Sequence, residues 1–126
     1  MDTFSITSTV KTYPKLPYEE MKNTVLGKKF DLSLVFVGEK RAKRLNEEHR
    51  NKDYIPNVLS FPLTENSGEI FICPKAAAKE AADFDLSLEG YIGFLFIHGM
   101  LHLRGLDHGD EMDRLEQKYL TKFKLS

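Results

Sequence analysis

The chain has 126 residues, of which 41% are hydrophobic, 11% aromatic and 29% charged. This composition excludes an intrinsically disordered protein and predicts one globular domain over residues 1–126. Its apolar runs are too short to cross a bilayer, so we expect no membrane partner. The 18 basic and 19 acidic residues give a net charge of −1, which by itself provides no argument for nucleic acid.

The first half of the chain predicts two strands, each followed by a helix. Residues 2–10 alternate apolar and polar side chains as a strand does, and residues 18–28 carry apolar side chains at helical spacing. Residues 31–37 alternate again, which predicts the second strand. Residues 39–50 predict a strongly charged helix with a thin apolar side.

The middle of the chain predicts two more strands and a third helix. VLSF at residues 58–61 is typical of a short strand, and the following Pro62 suits the edge of a sheet. Residues 68–73 form an apolar strand. Pro74 can then begin the Ala-rich helix of residues 75–83.

The last third predicts two helices. Residues 87–103 are largely apolar and predict a helix in the centre of the core, with Gly105 as its stop. A final helix starts at about Asp110, which can cap it. One face of that helix carries Met112, Leu115, Tyr119 and Phe123. The complete pattern predicts an α+β fold with about four strands and four to five helices.

Three of the four histidines lie within eleven residues, in the string HGMLHLRGLDH. His98 and His102 are four positions apart on the predicted helix, so both rings leave the same face and can reach one metal ion. Gly105 can take a positive φ without steric cost, which lets the chain turn back and bring His108 to that ion. Three imidazoles suit zinc and leave a fourth position open for a water, whose pKa falls to about 7. The string therefore predicts one zinc ion per chain, held by His98, His102 and His108.

The alternative is that the three histidines are surface or core residues that bind no metal. The i, i+4 pair, the glycine and the third histidine are, however, all consistent with one metal site. The spacing matches the metalloprotease motif HExxHxxGxxH, except that Gly99 stands where the general-base glutamate belongs. This difference argues against peptide hydrolysis by the usual route and leaves the general base unassigned.

Four segments form a series along the chain: LNEEHR at 45–50, NVLSFP at 57–62, GEIFIC at 68–73 and the histidine string at 98–108. In this order they resemble LNxxYR, T(D/N)VLSFP, GDIxIC and HGxLHLxGYDH of the YbeY family, bacterial endoribonucleases that act in ribosomal RNA maturation. The resemblance covers the chain from about residue 34 to its end, and residues 1–33 match only in general pattern. It implies a zincin-like α+β fold with a mixed sheet, a zinc ion and RNA as the substrate.

The chain departs from the family pattern at three positions, none of them a predicted metal ligand. Leu106 replaces a tyrosine, Pro56 replaces a threonine, and His49 replaces an aromatic residue. His49 lies in line with Leu45 on the predicted helix, which favours packing over a polar role near the site. Pro56 can alter the geometry of the loop beside the cleft.

Arg50 ends the charged helix, and the matching arginine of the family pattern belongs to the active cleft. A guanidinium can hold a phosphate through two parallel hydrogen bonds and stabilise charge as it develops. The resemblance thus implies that Arg50 is catalytic, whereas the helix alone would favour a solvated arginine. The nearby basic cluster is interpreted as solvated surface rather than as an RNA contact; it comprises Lys40, Arg41, Lys43 and Arg44.

Three further residues have open roles. Ser60 points either to the cleft or to a neighbouring strand, and Asp107 can orient a ligand histidine or cap the following turn. Cys73 is either a buried small hydrophobe or a fourth ligand that would make the zinc structural. The single cysteine, with an N-terminal sequence that lacks the features of a secretory signal, predicts a cytoplasmic location.

The sequence therefore predicts a zinc-dependent endoribonuclease that cuts single-stranded RNA in ribosomal RNA processing and ribosome maturation. Residues 1–63 carry a net charge of +3 and residues 64–126 a net charge of −4. This asymmetry predicts weak intrinsic RNA affinity, so we expect the ribosome or ribosomal proteins to supply part of the specificity. Two alternatives remain: another metal-dependent hydrolase, and a non-catalytic metal-binding factor for ribosome assembly.

Overall fold

One mixed sheet organises the fold in a computed structural model that describes residues 3–125. Its strands are β1 (Phe4–Ser8), β2 (Asp31–Phe36), β3 (Val58–Thr64) and β4 (Ser67–Ile72). They lie in the order β1-β2-β4-β3, with β3 antiparallel to β4 and the other neighbours parallel. β3 is thus an edge strand, which accommodates a proline that cannot donate to a sheet ladder.

Five helices surround the sheet and confirm the predicted α+β class. They are α1 (Tyr18–Val25), α2 (Glu39–Arg50), α3 (Pro74–Glu80), α4 (Leu88–Leu103) and α5 (Asp110–Lys122). A short 3₁₀ turn, Ala81–Phe84, follows α3. The Ser87 hydroxyl accepts a hydrogen bond from the Gly90 N–H at 3.0 Å and caps α4, an interaction that contributes about 1 kcal/mol.

Several boundaries differ from the sequence prediction; α1, for example, was expected over 18–28 and ends at Val25. The first strand was expected over 2–10 and is confined to β1; Asp2, in the predicted range, lies outside the described residues. β3 continues past VLSF as far as Thr64, with an irregularity between Pro62 and Thr64. The prediction that Asp110 caps the last helix is wrong, because Gly109 occupies the capping position and Asp110 is the first helical residue.

The two faces of the sheet bury two apolar clusters. Leu34 and Phe36 of β2 face the larger cluster, which α1, α4 and α5 cover, whereas Val35 faces a smaller cluster that includes Ala42 of α2. Each large side chain buried in this way contributes about 1.5–3 kcal/mol. Ten of the sixteen residues of α4 are buried, so α4 is the central core helix that the apolar sequence predicts.

Among residues 3–125 no single helix is long and apolar enough to cross a membrane. Only Pro74–Phe84 and Leu88–Leu103 taken together reach that length and composition, and the pair is bent by 103°.

Candidate active site

The three predicted histidines converge at one point. One ring nitrogen from each of His98, His102 and His108 lies within 4.8 Å of the others. His98 and His102 stand one turn apart on α4, and their Nε2 atoms are 3.1 Å apart. Gly105 takes a φ of +90°, a conformation that disfavours other residues, and this turn returns His108 to the pair. The His108 ring centre lies 5.2 Å from that of His98 and 4.9 Å from that of His102.

Two hydrogen bonds determine which nitrogen of each helical histidine faces inward. Nδ1 of His98 donates to Oε2 of Glu116 on α5 at 2.6 Å, and Nδ1 of His102 donates to the Leu106 carbonyl at 3.0 Å. Both Nε2 atoms therefore present lone pairs. Burial lowers the pKa of His102, and the nearby His98 ring lowers it further. The low pKa favours the neutral imidazole that binds metals.

A divalent metal ion fits between these rings. Two lone pairs that face each other at 3.1 Å repel unless a positive charge lies between them. Two nitrogens on a tetrahedral zinc are separated by about 3.3 Å when each bond is about 2.0–2.1 Å, which is close to the distance observed. In the described part of the chain the group has three members, the number typical of a site with an open position.

Cys73 lies apart from this group. It is 1% exposed, within the smaller apolar cluster, and burial raises the pKa of its thiol. The group whose ring nitrogens converge does not include Cys73, and its position among apolar side chains confirms the interpretation of Cys73 as a small hydrophobe. A structural zinc would need the Cys73 sulfur as its fourth ligand, and Cys73 does not provide it.

Glu116 is the partner of a ligand histidine that the sequence analysis missed. Asp107, the residue considered for this role, is exposed, whereas Glu116 is 6% exposed. A carboxylate on the far nitrogen of a ligand histidine fixes its tautomer and raises its basicity. The one sequence signal for Glu116 is its place on α5, four residues after Met112 and next to Leu115, on the edge of the apolar face.

The histidines line a cleft of about 340 Å³ beside the edge strand β3. The lining residues are Arg50, Val58, Leu59, Ser60, His98, Gly99, His102 and His108. Arg50 therefore reaches the same cleft as the histidines, as the family resemblance implies. The Ser60 hydroxyl donates to the Gly99 carbonyl at 2.9 Å, so Ser60 joins β3 to α4 at the wall of the cleft.

Packing explains why position 99 carries no glutamate. A Cβ atom there would lie 3.2 Å from Cδ1 of Ile70 on β4, so the side-chain direction at Gly99 is toward the sheet. A glutamate that continued in this direction would place its carboxylate among aliphatic groups, at a cost of several kcal/mol. The close approach of Ile70 on β4 thus disfavours a glutamate at the position that supplies the base in metalloproteases.

A single buried amide holds Arg50 in place. Nη1 of Arg50 donates to Oδ1 of Asn46 at 3.2 Å, and Nδ2 of Asn46 donates to the Tyr54 carbonyl at 3.1 Å. Asn46 is fully buried, so the side chain that joins the exposed Arg50 to the exposed Tyr54 is itself fixed in position. The motifs pointed to no role for Asn46, because Tyr54, the residue that it joins to Arg50, lies beyond the end of α2.

Other residues of α2 have ordinary surface contacts. Lys43 pairs with Asp53 at 3.4 Å, and the Arg41 guanidinium lies 6.0 Å from the centre of the Phe71 ring. These contacts favour the interpretation of the basic cluster as surface. The centre of the His49 ring lies 5.1 Å from the centre of the Phe61 ring. This contact confirms the prediction that His49, a departure from the family pattern, has a packing role.

The comparison with known proteins identifies the family. The model of the family Endoribonuclease YbeY matches residues 2–124 of this chain. The chain belongs to the YbeY family. The match includes the N-terminal segment that the motifs alone did not cover.

Two YbeY relatives and one solved structure illustrate the similarity. A protein from Mesoplasma florum named Endoribonuclease YbeY is 37% identical over 115 residues, which cover 82% of this chain and 65% of the relative. One of the same name from Finegoldia magna is 40% identical over 93 residues, or 68% of this chain and 61% of the relative. The chain thus spans less than two thirds of the length of these curated relatives. A solution structure of a Thermotoga maritima protein has a TM-score of 0.68 at 30% identity and covers 93% of this chain and 86% of its own.

Proposed function

We propose that this protein is a zinc-dependent endoribonuclease that cuts single-stranded RNA in the cytoplasm during ribosomal RNA processing and ribosome maturation. The ribosome or ribosomal proteins are its proposed partners. The observation that carries the proposal is the presence of a three-histidine group and an arginine in one cleft. Membership of a family described as endoribonucleases adds to that observation.

His98, His102 and His108 would hold one zinc ion per chain. When bound, such an ion supplies a Lewis acid that polarises a phosphate oxygen and lowers the pKa of water. The protein's own contribution is orientation: Glu116 and the Leu106 carbonyl hold the two helical imidazoles with Nε2 turned inward. Rings held in this way lose little freedom when they bind an ion.

Arg50 would bind the scissile phosphate. In residues 3–125 its guanidinium makes hydrogen bonds through Nη1, which leaves the edge formed by Nη2 and Nε for two parallel bonds to a phosphate. Because Asn46 holds the guanidinium before substrate arrives, its charge is already placed where negative charge develops in the transition state.

The position of the cleft supports a single-stranded substrate. The cleft runs beside β3, an edge strand, with Val58, Leu59 and Ser60 in its wall. An extended chain can lie along such an edge. In a duplex the bases are paired and stacked, whereas a single strand presents them to the protein.

Metal content tests the first part of the proposal. We expect about one zinc per chain in the native protein purified without added metal, and none in His102→Ala, because two imidazoles bind zinc far more weakly than three. The measurement is elemental analysis. Native protein that holds no metal even after zinc is supplied would overturn the metal-dependent mechanism.

Cleavage of a single-stranded RNA, with the duplex of the same sequence as comparison, tests the second part. We expect Arg50→Ala to lower kcat/KM about 100-fold, in line with the loss of one charge-stabilising donor. Arg44→Ala is the matched control, because Arg44 is exposed on the same helix and does not line the cleft. Zinc-loaded native protein that binds the single strand without cutting it would favour the non-catalytic assembly factor.

A further inference from the structure

An exposed aromatic ring stands beside the arginine of the cleft. Tyr54 is 50% exposed, although a tyrosine ring is a large apolar surface that usually packs against other residues. Its hydroxyl lies 3.5 Å from Nη1 of Arg50, and Arg50 lines the cleft. The next residue, Ile55, is 37% exposed and extends the apolar surface.

The loop that carries Tyr54 is held at both ends by polar side chains. At one end, Asn46 binds the Tyr54 carbonyl, and the Lys52 N–H donates to the Asn46 carbonyl at 3.2 Å. At the other end, Nδ2 of Asn57 donates to Oε2 of Glu80 at 2.8 Å. The ring is therefore exposed on an ordered backbone, and a ligand that stacks on it pays little entropy for ordering the loop.

We propose that Tyr54 is a nucleobase-stacking platform of the active cleft, which holds one unpaired base of the RNA while Arg50 holds a neighbouring phosphate. This inference rests on the proposed function and deepens it. Every base has a π face, so stacking on an aromatic ring tolerates many sequences. Only an unpaired base presents both faces to the protein, so the platform would favour single strands over duplexes.

A structural role for Tyr54 makes a different prediction from stacking. If its hydroxyl supports Arg50, then Tyr54→Phe and Tyr54→Leu lose activity equally, because both remove the hydroxyl. If the ring stacks on a base, Tyr54→Phe keeps the function and Tyr54→Leu loses it. We expect Tyr54→Leu to raise KM for single-stranded RNA about tenfold, in the range found for one aromatic stack, with kcat and KM for Tyr54→Phe unchanged.

A fluorescence measurement detects the stack directly. The chain contains no tryptophan and five tyrosines, so Tyr54→Trp introduces a single tryptophan at the proposed platform, and its emission can be excited selectively. The probe is a single-stranded RNA oligonucleotide that the native protein cuts, and the emission is recorded by rapid mixing before cleavage proceeds. Leu88→Trp is the control: Leu88 is 37% exposed and begins α4, ten residues and about 15 Å before His98.

The expected result is quenching of the Tyr54→Trp emission by the oligonucleotide, with the Leu88→Trp emission unaffected. Absence of quenching with an RNA that the native protein cuts would overturn the platform and leave the endoribonuclease proposal standing. Equal losses in Tyr54→Phe and Tyr54→Leu would do the same. Native protein that neither binds nor cuts single-stranded RNA would overturn both proposals.

Discussion

The two walls of the cleft are built in different ways. The helix wall, formed by His98, Gly99 and His102, belongs to the central core helix α4, which packs against β3, β4 and α5. The loop wall contains Arg50, with Tyr54 beside it; both residues are exposed, and both make hydrogen bonds to the buried Asn46. Apolar packing thus determines the proposed metal-binding wall, whereas one polar side chain supports the proposed substrate-binding wall.

This difference explains where the chain departs from the family pattern. On the loop wall, His49 packs at the surface against Phe61, so its replacement leaves Arg50 in place. Near the helix wall, the backbone carbonyl of Leu106 accepts a hydrogen bond from His102. Any side chain at position 106 allows this contact. These two departures therefore lie at positions where the site uses no side-chain polar group.

The largest effect is expected from Gly99→Glu on the helix wall. This change places a carboxylate against Ile70 in the core and should lower the free energy of unfolding by about 4 kcal/mol or more, because a buried charge is left unpaired. Urea denaturation measures the change. Gly99→Ala is the control and should stay within about 1 kcal/mol of wild type, since its better helix propensity offsets the close contact. Native stability in Gly99→Glu would mean that the side chain escapes to the cleft.

A smaller effect is expected from Asn46→Ala on the loop wall. The change leaves the Tyr54 carbonyl without its buried donor and should lower the free energy of unfolding by about 1–3 kcal/mol. Zinc content should be unchanged, because the histidines lie on the other wall. Glu48→Ala, an exposed change on the same helix, should alter stability by less than about 0.5 kcal/mol. Loss of zinc in Asn46→Ala would show that the two walls are coupled.

The smallest effect is expected from Glu116→Gln. The amide oxygen of the glutamine can still accept a hydrogen bond from His98. The substitution removes the negative charge that raises the basicity of the His98 ring. Zinc affinity, measured by competition with a chelating dye, should fall about tenfold, with little change in thermal stability. The exposed Glu111→Gln on the same helix should bind zinc as wild type does. Equal affinities in the two variants would assign Glu116 a packing role alone.

The sequence alone determined the elements and the grouping of the three histidines, because both depend on short spacings. Helix α2 begins and ends where its pattern predicts, at Glu39 and Arg50. The i, i+4 spacing of His98 and His102 and the turn at Gly105 sufficed to bring His108 to the pair. Local geometry of this kind follows from helical periodicity and from the conformational freedom of glycine.

Tertiary structure decided which groups support that set. Glu116 lies 18 residues from His98, and Ser60 lies 39 residues from Gly99. Asn46 meets Tyr54 only because the chain turns at Asn51, where φ is 55°. No spacing rule joins such pairs, since each depends on how α5, β3 and the loop after α2 pack. The convergence of the three histidines could therefore be predicted from periodicity, whereas their hydrogen-bond partners required the packed core.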